Sequence, residues 1–95
     1  MTGIELIAKE RKEQVEKHER AILYDVHENR RRKLVEGAIA ILQDDYKGRP
    51  ENWVPKTFDK MVNKSYKERL VIAGALLAAE IDRISYSPEV CDTID

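Results

Sequence analysis

The sequence predicts a small all-α domain of three main helices, with a tryptophan- and proline-bearing loop and a short helical turn between the second and third. Three observations carry that expectation. Two capping boxes, Thr2 to Glu5 and Ser65 to Glu68, each open a stretch of helical apolar periodicity. A broad apolar face recurs through Leu34, Val35, Ala38, Ile39, Ile41 and Leu42. No segment alternates apolar and polar residues as a half-buried strand would.

The first helix is expected from about Gly3 to Leu23, with Ile4, Ile7, Ala8, Val15 and Ile22 on one stripe that also takes in Arg11 and His18. Its other faces alternate in charge through Lys9, Lys12, Glu13, Glu16, Lys17 and Glu19, the pattern of a solvated surface. The periodicity lapses from Tyr24 to Asn29, where Asp25, His27, Glu28 and Asn29 favour turns and caps. A second helix is expected from Arg30 to about Asp45, ahead of Gly48-Arg49-Pro50, with Gly37 as a weak point inside it.

Residues 47 to 64 hold Pro50, Pro55, the single tryptophan Trp53 and the single phenylalanine Phe58, which marks a structured connection. A short helical turn fits Thr57 to Val62. The third helix should run from Ser65 to about Ile84, and its middle, Leu70 to Ala79, is uncharged and apolar on every side. A helix of that kind must be covered all round. Either the other helices and the Trp53 loop cover it, or a second copy of the chain does, approaching over the small residues Gly74, Ala75, Ala78 and Ala79. The reading taken is a homo-oligomer. Residues 1 to 84 form one domain, and residues 85 to 95 a polar tail with Pro88.

Composition bounds the function. A domain of 95 residues buries only roughly 60–65% of the surface of its unfolded chain, which leaves little room for a deep private cavity. The chain is 42% hydrophobic and 37% charged, with a formal net charge of −1. That balance removes the overall positive field on which non-specific nucleic-acid binders rely, so any anion site must be a local cluster. One cysteine, Cys91, allows neither an intramolecular disulfide nor a thiolate metal cage, and a reducing compartment fits. With no secretory pattern at Met1 to Glu5 and no apolar run of membrane-spanning length, a cytoplasmic protein without membrane contact is expected.

Three stretches carry a resemblance: Thr2-Gly3-Ile4-Glu5-Leu6-Ile7-Ala8-Lys9-Glu10-Arg11; Pro50-Glu51-Asn52-Trp53; and Arg69-Leu70 running into Ala73-Gly74-Ala75-Leu76-Leu77-Ala78-Ala79-Glu80-Ile81-Asp82-Arg83. Together, over roughly residues 2 to 84, they resemble a family of small helical proteins carried by phages and prophages. The resemblance implies a short accessory protein in the host cytosol, for which interference with host defence is one role. It brings no catalytic residues with it.

Arg30-Arg31-Arg32-Lys33 is the most informative cluster, because four cations crowd the expected start of a helix. That end is already positive from its free N–H groups and the macrodipole, so something negative should sit there. Asp25 and Glu28 can serve as internal partners, and so can a phosphate or an acidic protein. Trp53 beside Lys56, with Tyr24 and Tyr46 near in sequence, offers a stacking surface for a base; alternatively Trp53 caps the open end of the core. Glu10-x-x-Glu13 and Glu16-x-x-Glu19 resemble half of the Mg²⁺ cage of all-helical nucleotide pyrophosphohydrolases. The other half is missing, since Glu80 and Asp82 point about 200° apart around their helix.

His18 and His27 have no cysteine or third histidine to complete a zinc site, and no nucleophile triad or glycine-rich phosphate loop is present. These observations lead to a non-catalytic protein with no cofactor and no metal, binding an anionic, nucleotide-like small molecule through Arg30, Arg31, Arg32, Lys33, Tyr24, His27, Trp53 and Lys56. A module that docks a host protein, and a Mg²⁺-dependent pyrophosphohydrolase, are the alternatives.

Overall fold

The computed structural model describes residues 1–17 and 32–86. Among them the chain forms four helices and one 3-10 turn, with no strand: α1 Gly3–Lys17, α2 Lys33–Leu42, the turn Tyr46–Gly48, α3 Pro55–Val62 and α4 Tyr66–Tyr86. The expected stretch of the first helix to Leu23, the turn residues Tyr24 to Asn29 with Asp25 and Glu28, and Pro88 and Cys91 of the tail lie outside the described residues.

Both capping boxes are closed reciprocally. The Thr2 backbone N–H donates to Glu5 Oε1 at 2.7 Å and the Glu5 N–H to Thr2 Oγ1 at 3.2 Å. At α4 the Ser65 N–H donates to Glu68 Oε1 and the Glu68 N–H to Ser65 Oγ, each at 3.2 Å. These bonds satisfy donors that a helix N-terminus otherwise leaves to water. They also favour the ionised carboxylates. Glu5 is held below the ordinary glutamate range chiefly by the Thr2 backbone N–H, and Glu68 chiefly by the Ser65 hydroxyl.

Two sequence expectations are corrected. The second helix begins at Lys33 rather than Arg30, because Arg32 takes a left-handed backbone, φ 65° and ψ 21°, which a continuing helix cannot contain. It ends at Leu42 in a Schellman motif, with the Asp45 N–H on Ala40 O at 2.9 Å and the Asp44 N–H on Ile41 O at 3.4 Å. Asp44 holds the left-handed position, φ 56°, that glycine usually fills. Arg69 of α4 offsets that strain by donating to the Asp44 carboxylate and, at 3.1 Å, to the Ile41 carbonyl. The second correction concerns the short turn at Thr57 to Val62, which is a helix of 8 residues, α3. Pro55 sets φ for its first turn, while Phe58 and Val62, four apart, face the core.

The core lies where α2, α3 and α4 meet, with Leu34, Ile41, Phe58 and Leu76 fully buried. Trp53 closes it. Its ring lies 6.2 Å from that of Phe58, tilted by 60°, and rests directly on the backbone of α2. A Cβ at Gly37 would come within 2.2 Å of Trp53 Cη2, so glycine is required there by the close approach and not by an unusual φ. Arg49 fixes the loop that delivers this ring, donating to the carbonyls of Pro50 at 3.3 Å, Glu51 at 3.5 Å and Trp53.

α1 packs chiefly on α4. Ile7 inserts where Gly74 has no side chain, Ile7 Cδ1 falling 2.6 Å from the place a Cβ would occupy, and Arg11 pairs with Asp82 at 3.4 Å. α2 covers a second side of α4. Towards the C-terminal end of α4 the Arg83 guanidinium makes a bidentate pair with Glu80 of the same helix, two bonds of 2.8 Å, with both side chains buried. A strip between the two covered sides remains open, with Leu70, Leu77, Ile81 and Ile84 exposed within a sector of about 60° on the helical wheel. Among the described residues, only part of the apolar surface of α4 is covered by other elements.

Gly37→Ala is expected to lower stability in urea unfolding by about 1–3 kcal/mol through overpacking against Trp53, although alanine is the better helix former by about 1 kcal/mol. Gly3→Ala, where nothing lies within 4 Å of the new methyl, should be neutral or stabilising. Equal stability of Gly37→Ala and the parent would remove Trp53 as the reason for that glycine.

The capping boxes predict an acid sensitivity. Carboxylates depressed in the folded state contribute stability that is present above the ordinary glutamate value of about 4.3 and is lost as pH falls through the lower folded value. The unfolding midpoint should therefore drop across that acidic window, and Glu5→Gln with Glu68→Gln should flatten this part of the profile. An unchanged profile in the double variant would place the acid sensitivity elsewhere.

Candidate functional site

The expected basic cluster is described only in part. Tyr24, His27, Arg30 and Arg31 lie outside the described residues. Arg32 is the N-cap residue of α2 and makes no side-chain cap, so it contributes charge beside the helix end without satisfying its N–H groups. Lys33 opens the helix, its ammonium 3.9 Å from the Glu51 carboxylate, which is 90% exposed. A pair so long and so solvated contributes at most about 1 kcal/mol. It nevertheless shows that the start of α2 sits beside the Trp53 loop. Lys56 is exposed in the first turn of α3, and Trp53 is buried, only 5% exposed, as the core-capping reading of that residue anticipates.

A second feature is a cleft of about 790 Å³ bounded by α1, α3, α4 and the loop segment Asn52 to Val54. It exists because α1 and α3 each pack on α4 and leave a space between them. Its floor is apolar, made by Leu6, Phe58, Met61, Val71, Ile72 and Leu76 with an edge of Trp53. Four lysines, Lys9, Lys60, Lys64 and Lys67, and three glutamates, Glu10, Glu13 and Glu68, line its rim. Glu68 is committed to the α4 cap, so the carboxylates of α1 are the acidic groups left facing the space. Clefts of roughly 300–1,000 Å³ with an apolar floor and a few polar groups are the usual form of small-molecule sites.

Gln14 is the least ordinary residue of this cleft. It is 4% exposed, its Nε2 donates to Glu10 Oε2 at 3.4 Å, and its Oε1 is buried with no donor. The sequence carried a partial signal for it, since Ile7, Arg11 and Gln14 share one helical stripe and a polar amide there breaks the apolar pattern. The lysine rim carried none. Lys60, Lys64 and Lys67 meet Lys9 around one space only once the fold brings the α3–α4 junction opposite α1.

The two halves of the suggested Mg²⁺ cage do not come together among the described residues. Glu10 and Glu13 line the cleft, whereas Glu80 and Asp82 are engaged by Arg83 and Arg11 on other sides of α4. Among the described residues no three His, Cys, Asp or Glu side chains gather as ligands for a cation. Among the same residues no helix is long and apolar enough to cross a membrane.

No family model matches the chain, and no curated protein or solved structure is significantly similar to it.

Proposed function

We propose that this chain is a non-catalytic binding protein that captures an anionic, nucleotide-like small molecule. The observation that carries the reading is the cleft between α1, α3 and α4, with its apolar floor and lysine rim. A planar base suits the floor, and phosphate oxygens suit ammonium groups that can move to meet them. Lys33 adds positive charge nearby, because it reaches Glu51, the neighbour in sequence of the cleft residue Asn52. In the phage context implied by the sequence resemblance, capture without turnover amounts to sequestration of a host defence signal.

A second reading rests on a different surface. The open strip Leu70, Leu77, Ile81 and Ile84 of α4 supports a protein-docking role, with a host protein or a second copy of the chain as partner. The pyrophosphohydrolase reading finds no support beyond Glu10 and Glu13.

Thermal unfolding in the presence of nucleotides, cyclic oligonucleotides and nucleotide sugars, with and without Mg²⁺, tests the proposal. At a hundredfold excess over Kd, a captured ligand should add about 2.7 kcal/mol and raise the midpoint by roughly 11–22 °C, with intact ligand recovered afterwards. Replacing Lys60, Lys64 and Lys67 by Gln should abolish the shift, and Arg31→Ala with Arg32→Ala should reduce it. Hydrolysed ligand would replace capture by catalysis, and no shift across the panel would leave the docking reading.

A further inference from the structure

We infer that two copies of this chain form a symmetric dimer by stacking the open faces of their α1–α4–α2 layers, on the side away from the cleft; the inference goes beyond the capture reading and does not depend on it. α1 runs parallel to α4, with Ile7 at Gly74 and Arg11 at Asp82. α2 runs antiparallel on another side, its end at Ile41 and Asp44 held by Arg69 near the start of α4. The three axes thus make a layer, and Trp53, α3 and the cleft lie on one face of it. Helical spacing places the exposed apolar side chains on the other. On α1, Ile4 and Val15 stand about 60–80° from Ile7, on the side away from the cleft residues Leu6, Lys9 and Glu13. On α2, the exposed Ile39 is about 200° round the helix from Gly37, which faces Trp53. On α4 the strip Leu70, Leu77, Ile81 and Ile84 lies between the two flanking helices.

Together with Gly74, whose gap Ile7 fills, the strip recurs at intervals of 4, 3, 4 and 3 residues, the heptad spacing of a seam between paired helices. Ala75 and Ala79 are already buried within the chain, so a second copy meets the branched side chains of the strip and not these small residues. None of the seven exposed side chains is charged, and the exposed Lys12 and Glu36 stand at the borders. Such a face is complementary to itself and offers no central charge to select a partner of opposite sign. Its exposed apolar area is roughly 600 Å², the upper end for one patch on a monomer. Two such faces together withdraw roughly 1,200 Å² from water before the polar borders are counted, which reaches the range of stable interfaces. The two clefts then open on opposite outer sides of the dimer.

Analytical ultracentrifugation of the full chain over a range of concentrations is the test. The expected particle has twice the 11.0 kDa of one chain, and its unfolding midpoint rises with protein concentration. Ile81→Glu, at a position 64% exposed in the single chain, should keep the helical circular dichroism and weaken association by at least about a hundredfold, because each copy would bury an unpaired charge. Val54→Glu, 62% exposed on the cleft side, should leave the dimer intact. If Ile81→Glu loses helicity, Leu77→Gln with Ile81→Gln takes its place, with weaker association again expected. A parent chain that stays monomeric at about 100 μM would leave the face to a host protein or to another part of the chain, and would overturn the inference. A dimer that survives a folded Ile81→Glu, or that Val54→Glu dissolves, would show that the copies meet elsewhere and would overturn it too.

Discussion

The contact on which the rest of the structure depends is the Trp53 ring lying against the bare backbone of Gly37. It joins α2 to the loop ahead of α3, and through Phe58 it joins that loop to the core. The ring brings more apolar area than any other side chain type, and truncating such a group costs about 3–5 kcal/mol. Arg49 makes the contact possible. A single guanidinium that donates to the carbonyls of Pro50, Glu51 and Trp53 holds a loop without regular structure in one shape. The floor of the cleft depends on that shape, since Trp53 and Phe58 both contribute to it.

Charged groups set the geometry where apolar packing alone would leave it loose. Arg69 ties α4 to the end of α2 at Ile41 and Asp44, whereas Arg83 and Glu80 pair within α4 itself, where both are buried. Breaking a buried pair of the second kind by removing one partner leaves an unpaired charge, which costs more than the intact pair contributes. The seam between α2 and α4 is tied by charge at its Arg69 end. α1, by contrast, is attached by Ile7 in the Gly74 gap and by the partly exposed Arg11 to Asp82 pair.

Much of the fold was legible in the sequence because it is written in local signals. Both capping boxes close as their spacing requires, and the starts of α1 and α4 follow from them. Helix ends that depend on a distant residue were not legible. Nothing near Asp44 announces that Arg69, far along the chain, stabilises its left-handed backbone, so the expected end of the second helix at Asp45 came late. Arg32 likewise has no glycine or proline beside it to mark a break. Gly37 read as a weakness in isolation and is a requirement in context. The basic run could be read as a charge cluster, but the cleft could not, because Lys9, Lys60 and Gln14 become neighbours only after α1 and α3 have both found α4.

Ile7 fits Gly74, and Arg11 meets Asp82 across a separation of 71 residues. Contacts between such distant positions close large loops and form late, after the local pairs that reward closure have assembled. During synthesis α1 is made before α4 and must wait, its apolar stripe unprotected, until α4 leaves the ribosome. The dense alternation of charge on its remaining faces keeps that waiting segment soluble. The helix that walls the cleft is thus made well before the helix on which it is seated.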